Sequence, residues 1–472
     1  MRKKSQGFLF WGLIVIFLCG CSAGPGGESS QNAFLDFSAA VPQGTSVTIP
    51  DDFAGFMHAG YSSGDANLTR EYGLINELGS CWIQRDFSWG SIQPAEATWN
   101  FSSFDSYVER ANLEGKKVLG MLLYDVNWVH EKYGNSSVRT IFPNEITDFC
   151  AYATETVKRY NGKNGHGKVD AWCIWNEPNL SKFWAGTQEE FFELTKSTAQ
   201  AIRNLDITEG THSILIGGVF NTQVTNDWID GLFAGDTMDQ VDYVTFHPYL
   251  IDAKSTAYVF DSFKNKVARY DTDEKNWSDT IWVNEVGYPT YSEKGAIPDG
   301  RYGTDVYEGD MPEMVTKTIT LLATEGAKTL FWYQLFDGKA VRDNGNSEDW
   351  YGLIWKKSDD EWIKKGGYWG YALCANNLPG KTYKEMSCPD SDIPPNTIQT
   401  WYFEGDDGKR VLVLWNDSYE TTLKLTITLP GTNWRLWNPV NGSSAPVGKT
   451  STNTLYPRDT YKRTLLFFTW DE

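Results

Sequence analysis

Short apolar runs alternate with amphipathic stretches between about residue 53 and residue 375. Eight of the apolar runs have the length and the bounding turn residues of strands, and the stretches between them repeat apolar residues at helical spacing. The predicted strands are 55–60, 81–86, 117–124, 169–175, 213–218, 243–247, 280–285 and 329–335, and 189–204 and 311–326 are two of the predicted helices. Eight such units predict an α/β fold, a closed (β/α)₈ TIM barrel. An open doubly wound sheet is less favoured, because no glycine-rich dinucleotide loop follows the first strand.

Residues 391–472 lose the helical spacing. Runs such as RVLVLWND, TTLKLTITLP and RTLLFFTW have the alternation and the turn residues of strands, so they predict a small C-terminal β-sandwich domain. Another strand-like run, GTSVTIP, lies within residues 41–52 and is expected to join this sandwich. The barrel is accordingly predicted to occupy residues 53–390.

Residues 1–21 combine three basic residues, an apolar stretch and the run LCGC. This arrangement resembles a bacterial lipoprotein signal peptide with its lipobox, and the resemblance implies a lipid on Cys21. The Gly-, Pro- and Ser-rich stretch that follows predicts a flexible tether over residues 22–40. We therefore expect an exported bacterial lipoprotein that contacts the membrane through Cys21 in the cell envelope, at the outer membrane or the cell surface. An ordinary cleaved signal peptide is the alternative.

The chain carries 61 acidic and 42 basic side chains, a formal net charge of −19. A protein this acidic is not expected to bind nucleic acid. The cysteines after Cys21 show no CxxC spacing, so the sequence predicts neither a zinc site nor a disulfide framework, and we expect no metal and no cofactor. A bridge between Cys374 and Cys388 is left open but not favoured.

Two glutamates end predicted barrel strands, and each follows an asparagine. Glu177 lies in CIWNEPN after the fourth strand, and Glu285 lies in IWVNEVGYP at the end of the seventh. Active sites of TIM barrels lie at these strand ends. A single glutamate there is more often structural, but two that face one barrel mouth can flank the anomeric carbon of a sugar. One would donate a proton while the other is ionised.

The runs WNEPNLSKFW, FHPY, NEVGYPT and FWYQLFD are similar to those of clan A retaining glycoside hydrolases, most of all to glycoside hydrolase family 39 and its relatives. The similarity covers about residues 53–385. It implies that Glu177 is the general acid/base and Glu285 the nucleophile. By the same resemblance, residues that contact the sugar or the nucleophile are Asn176, His247, Tyr249 and Trp332, the last as the ring beneath the reacting sugar. A plain core role stays open for His247 and Trp332.

Other strand ends add candidates for substrate binding. Arg85 can pair with Glu285 and lower the pKa of that carboxyl group, or it can form a structural ion pair with Asp86. Further candidates, weighed against ordinary loop residues, are His58, Tyr124, Asp125 and Trp128, whereas His130, His166 and His212 are expected to be solvated.

The sequence thus predicts a retaining glycoside hydrolase that cleaves β-linked polysaccharides or oligosaccharides. The alternative from another class is a non-catalytic surface lipoprotein that binds glycans. Within enzymes, an exo-acting β-xylosidase or β-galactosidase competes with an endo-glycanase.

Overall fold

The computed structural model describes residues 29–136, 138–234, 236–290, 308–340, 347–388, 393, 397–457 and 462–472. Two strands precede the barrel, β1 (Ser29–Asp36) and β2 (Val41–Thr48). The barrel strands are β3 (Ala54–Met57), β4 (Trp82–Ser88), β5 (Lys117–Leu123), β6 (Ala171–Ile174), β7 (Ile214–Asn221), β8 (Tyr243–His247), β9 (Ile281–Val286) and β10 (Leu330–Trp332). All eight pair in parallel, and β10 pairs with β3 to close the barrel. The predicted TIM barrel is confirmed.

Helices cover the outside of the barrel. They are α1 (Asp65–Glu77), α2 (Trp89–Ile92), α3 (Ser102–Leu113), α4 (Asn127–Tyr133), α5 (Ile146–Arg159), α6 (Gln188–Glu209), α7 (Asn226–Phe233), α8 (Ala253–Val267), α9 (Met311–Thr324) and α10 (Gly367–Asn377). The longest, α6, begins at a capping box in which Thr187 and Glu190 satisfy each other's backbone amides. It ends at Gly210 in the left-handed conformation.

Successive side chains of each barrel strand alternate between the barrel interior and the helical layer. The interior cluster includes Trp82, Met121, Trp282 and Phe331, which are all almost fully buried. Their strand neighbours, for instance Ile83 beside Trp82, belong to the larger core under the helices. This alternation decides which polar residues face the mouth of the barrel.

The remaining strands are β11 (Ile354–Lys356), β12 (Trp362–Lys364), β13 (Lys381–Ser387), β14 (Ile398–Gly405), β15 (Lys409–Asn416), β16 (Thr421–Thr428), β17 (Thr432–Trp437), β18 (Ser444–Pro446), β19 (Thr450–Leu455) and β20 (Leu465–Asp471). One sheet has the order β18-β17-β20-β15-β14-β13-β2, and a smaller one has the order β1-β16-β19. A separate apolar cluster with residues from both sheets forms the core of the C-terminal sandwich.

Two predicted boundaries are wrong. The tether was predicted to reach residue 40, but β1 pairs in parallel with β16 from Ser29 opposite Thr421 to Asp36 opposite Thr428. Composition suggested a linker there, whereas Ala33 and Leu35 follow the two-residue period of a strand and are buried. The barrel was predicted to end at residue 390, yet β13 pairs with β2 and β14 and is part of the sandwich sheet.

The barrel and the sandwich are joined by hydrogen bonds from α9 to the start of β20. The Glu313 carboxylate accepts bonds from the backbone amides of Thr464 and Leu465 at 2.8 and 3.2 Å, and Lys317 donates to the Thr464 hydroxyl at 3.0 Å. Cys374 and Cys388 are both free thiols. Residues 1–28, including Cys21, lie outside the described residues, and none of the helices in the described ranges is long and apolar enough to cross a membrane.

Candidate active site

An extra residue in β9 brings two neighbouring side chains to the mouth of the barrel. Leu330 of β10 pairs with Val283, but Trp332 pairs with Val286, so Asn284 and Glu285 together oppose a single residue of β10. Such a bulge breaks the strict alternation of side chains. Asn284 therefore lies in the polar interior, Glu285 reaches the mouth, and Val286 returns to the outer core.

The backbone at the end of β6 is held in an unusual conformation. Trp175 and Glu177 have φ angles of 67° and 42°, and His58 at the end of β3 has a φ of 51°. Residues with a Cβ seldom adopt positive φ, and such strain tends to be kept where it orients functional groups. Glu177 is only 8% exposed, although it lies just beyond the end of β6 at the barrel mouth.

His247, at the end of β8, joins the two glutamates. Its Nδ1 lies 2.7 Å from Glu177 Oε1 and 3.6 Å from Glu285 Oε2. These two oxygen atoms are therefore no more than about 6.3 Å apart, which is the two distances laid end to end. The two carboxyl groups share one small space.

The other ring nitrogen of His247 fixes where its proton lies. Nε2 is 2.8 Å from the Asn284 side-chain oxygen, while the Asn284 amide nitrogen points to Gln84 Oε1 at 3.4 Å. An amide oxygen only accepts, so Nε2 carries a proton, and a further proton is shared between Nδ1 and Glu177. Burial opposes a charged ring, but the carboxylates of Glu285 and Glu177 outweigh it and raise the pKa of His247.

Glu285 has a different partner. The Tyr249 hydroxyl donates to Glu285 Oε1 at 2.7 Å. Burial raises the pKa of Glu285 to about 7; His247 and the Tyr249 hydrogen bond oppose this shift, and Glu177 adds to it. The hydrogen bond from Tyr249 lowers the pKa of Glu285 because it favours the ionised carboxylate.

We expect Tyr249→Phe to move the acid limb of the pH profile of kcat/KM to higher pH. The hydroxyl stabilises ionised Glu285, so its loss raises the pKa of Glu285 from its value of about 7, and Glu285 is protonated in more of the enzyme at pH 7. The matched control is Tyr258→Phe, because Tyr258 lies on α8 with 72% of its surface exposed. An unmoved acid limb would contradict the assigned contact.

Asn176 offers an unused acceptor beside Glu177. Its side chain interacts with the Tyr124 hydroxyl and opposes the rise that burial causes in the pKa of Tyr124, and its Oδ1 is buried without a hydrogen-bond partner among the described residues. Tyr124 is in turn fixed edge-on against Trp175, with ring centroids 5.2 Å apart. An unpaired buried acceptor is costly, so this oxygen is suited to receive a substrate hydroxyl.

Two predicted site residues face away from the mouth. Arg85 does not reach Glu285, because alternation along β4 turns it outward, where it bonds Ser103 O at 3.2 Å and lies over the Phe104 ring. Trp332 is fully buried in the outer core against Tyr288. The ring that β10 supplies to the site is the next residue, Tyr333, which was missed although alternation from Trp332 points to it.

Of the remaining candidates, His58 lies at the mouth and Trp128 does not. His58 Nδ1 is 3.3 Å from Gln334 Oε1, and its ring packs edge-on against Tyr333. Trp128 donates to the backbone oxygen of Gln93 and packs edge-on against Trp89.

The expectation that His130 is solvated was wrong. It is buried between Glu145 and Asp125, at 2.8 and 3.0 Å, so both of its ring nitrogens and the Asp125 candidate are used in holding the loop after β5. Among the residues that the structure describes, no group of His, Cys, Asp or Glu has an arrangement that would hold a metal ion.

Comparisons with known proteins connect this site to sugar-processing enzymes. The model of the family described as Glycosyl hydrolases family 39 matches residues 133–285. A beta-xylosidase of Caldicellulosiruptor saccharolyticus is 29% identical over 154 residues, a match that spans only 30% of this chain and 30% of that relative.

Solved structures share the fold over most of the chain. A family 39 glycoside hydrolase from Bacteroides cellulosilyticus WH2 has a TM-score of 0.68 at 18% sequence identity. The match covers 90% of this chain and 81% of the Bacteroides chain. A GH30 endoxylanase from Clostridium papyrosolvens C71 has a TM-score of 0.59 at 15% identity, with coverage of 94% and 100%. The central segment of this chain is therefore similar to family 39 glycoside hydrolases, and the chain shares its fold with glycoside hydrolases of known structure.

Proposed function

We propose that this protein is a retaining glycoside hydrolase in which Glu285 is the nucleophile and Glu177 is the general acid/base. The observation that carries the proposal is the pair of carboxyl groups bridged by His247. One of them shares a proton with the imidazole, and the other accepts a hydrogen bond from Tyr249. Two glutamates in one mouth with different partners suit the two roles that retaining hydrolysis requires.

In the first step, Glu285 attacks the anomeric carbon and forms an ester with the sugar. The glycosidic C–O bond breaks as Glu177 gives its proton to the departing oxygen. In the second step, Glu177 takes a proton from water, the water oxygen attacks the anomeric carbon, and the ester to Glu285 breaks. Two inversions give net retention, the proton taken from water restores Glu177 for the next cycle, and the contact with His247 Nδ1 holds the Glu177 carboxyl group in place.

Spacing supports retention over inversion. Inverting enzymes separate their carboxyl groups by roughly 6.5 to 9.5 Å to admit a water, whereas retaining enzymes keep them about 5 to 5.5 Å apart. The upper bound of about 6.3 Å between Glu177 Oε1 and Glu285 Oε2 is compatible with the retaining spacing. The unpaired Asn176 Oδ1 supports a role for Asn176 as an acceptor for the sugar 2-hydroxyl, a bond that would strengthen as positive charge develops at the anomeric carbon.

A β-xyloside is the first substrate to test, because a relative that matches 30% of the chain is named a beta-xylosidase. The experiment is a screen of aryl β-xylosides, β-galactosides and β-glucosides together with polysaccharides, in which NMR follows the first-formed anomer. We expect the β-anomer to appear first and to mutarotate later. The α-anomer would contradict a retaining mechanism, and glycan binding without turnover would favour the non-catalytic lipoprotein. Release of monosaccharides only would indicate exo action.

We also propose that a lipid on Cys21 holds the protein in the cell envelope. The proposal rests on the LCGC run and the segments around it. Metabolic labelling with a fatty acid tests it, and a labelled Cys21→Ser variant would contradict it.

A further inference from the structure

Asp86 is a carboxylate at the barrel mouth that the proposed chemistry does not use. It lies two residues beyond Gln84 on β4, and Gln84 points into the interior toward Asn284. Alternation therefore turns Asp86 to the same side, one layer closer to the opening, while its neighbour Arg85 turns outward. The structural pair between Arg85 and Asp86 that the sequence left open is not formed.

The Asp86 carboxylate accepts no hydrogen bond from any residue that the structure describes. Glu177 and Glu285 in the same mouth each have a partner. Burial raises the pKa of Asp86, and this effect is opposed by His58 and Arg85. The Nδ1 atom of His58 contacts the Gln334 side chain and not Asp86. A half-buried carboxylate without donors costs stability, and its persistence needs a reason outside the folded chain.

Asp86 and Glu285 lie around one common space. The negative charges of Asp86 and Glu285 both raise the pKa of Tyr124 and of Tyr333, the residues that directly follow β5 and β10 at either side of β4 and β3. Glu285 enters from β9, so Asp86 approaches that space from another wall. A pyranose whose anomeric carbon sits at Glu285 presents its 3- and 4-hydroxyls on the far side of the ring.

We propose that Asp86 binds the 3- and 4-hydroxyl groups of the sugar that becomes attached to Glu285, and that it selects a neutral sugar at this position. The inference rests on the proposed function and adds the class of sugar. Two hydroxyls can donate to the two carboxylate oxygens, which satisfies the unpaired group. A uronate would place a second negative charge beside Asp86 in a poorly solvated mouth, where repulsion is strong.

The test measures the activity of two Asp86 variants on substrates that each lack one hydroxyl group. Wild type, Asp86→Ala and Asp86→Asn are assayed on the best aryl β-glycoside of the screen and on its 2-, 3- and 4-deoxy forms. Wild type should lose about 10- to 100-fold in kcat/KM for a lost 3- or 4-hydroxyl, the usual worth of a hydrogen bond to a charged group. Asp86→Ala should show a similar loss on the parent but little further loss on the 3- and 4-deoxy forms. The 2-deoxy form should remain poor for all three proteins.

Stability separates binding from a structural role. Because the carboxylate lacks partners, Asp86→Asn should unfold at a temperature equal to or above that of wild type, and Asp406→Asn in the exposed β14–β15 turn serves as the matched control. The ratio of kcat/KM for the parent to kcat/KM for the corresponding aryl β-uronide should also be smaller for Asp86→Asn than for wild type.

If Asp86→Ala keeps the wild-type ratios between parent and deoxy substrates, the inference is wrong while the hydrolase proposal stands. If wild type hydrolyses no glycoside, the proposed function fails. Calorimetric titration of xylose into wild type and Asp86→Ala then decides the inference, because equal affinity overturns it and weaker binding by the variant supports it.

Discussion

Glu285→Gln is expected to lower kcat by about 10⁴-fold or more, on the scale seen when hydrolases lose a covalent nucleophile. The amide keeps the shape of the side chain and can still accept from Tyr249, but it cannot form the ester with the sugar. The measurement is the hydrolysis rate of an activated aryl β-glycoside, and near-normal turnover would contradict the role of Glu285. Glu274→Gln is the matched control, because Glu274 is exposed.

The same variant should be at least as stable as wild type, so lost activity cannot be ascribed to unfolding. Burial raises the pKa of Glu285 from about 4.5 to about 7, so the folded protein binds more protons than the unfolded chain across that window. Stability due to this group therefore falls as pH rises from about 4.5 to 7. Glu285→Gln removes this penalty, and its melting temperature relative to wild type should increase over that pH range.

The barrel could be predicted from the sequence because each of its strands is an apolar run bounded by polar turns. All eight predicted runs overlap the observed strands, and 243–247 matches β8 residue for residue. β1 and β13 were missed for a related reason. Both contain few apolar residues, and their strand conformation depends on partners that are distant in sequence, β16 for β1 and β2 with β14 for β13.

The sequence predicted which strand ends carry the site, but it did not always predict which side chain at a strand end faces the mouth. The sequence placed Glu177, Glu285 and His247 where parallel strands end, and the fold brings them together. Arg85 and Trp332 each lie one residue from a side chain that does face the mouth. Strict alternation along each strand would have pointed to Asp86 in place of Arg85 and to Tyr333 in place of Trp332.

The bulge in β9 has no such signal. IWVNEV contains neither a glycine nor a proline to mark an extra residue, and the register of β9 is visible only against β10. Strict alternation would have placed Glu285 on the outer face with Val283. Predicting the inward glutamate therefore required the resemblance to a known family, since periodicity alone assigns it to the wrong side.

Glu177→Ala is expected to lower hydrolysis by roughly 10²- to 10⁴-fold, the range for loss of a general acid/base, and to do so unevenly. A substrate with a poor leaving group needs the proton from Glu177, so both formation and hydrolysis of its ester with Glu285 should be slow. A dinitrophenyl glycoside leaves without that proton, so it should still form the ester with Glu285. Hydrolysis of the ester then stalls because no base activates water, and a burst of dinitrophenol should precede slow turnover.

Azide distinguishes the two glutamates, because it is a nucleophile that needs no general base. In Glu177→Ala it should attack the ester on Glu285 and restore turnover, with a β-glycosyl azide as product. In Glu285→Ala it should enter the space left by the carboxylate, displace the leaving group directly and give the α-glycosyl azide. Both carboxyl groups lie close to His247 Nδ1, so each truncation removes a carboxyl group beside the same bound sugar. The opposite pairing of products with variants would exchange the two roles and overturn the mechanism proposed here.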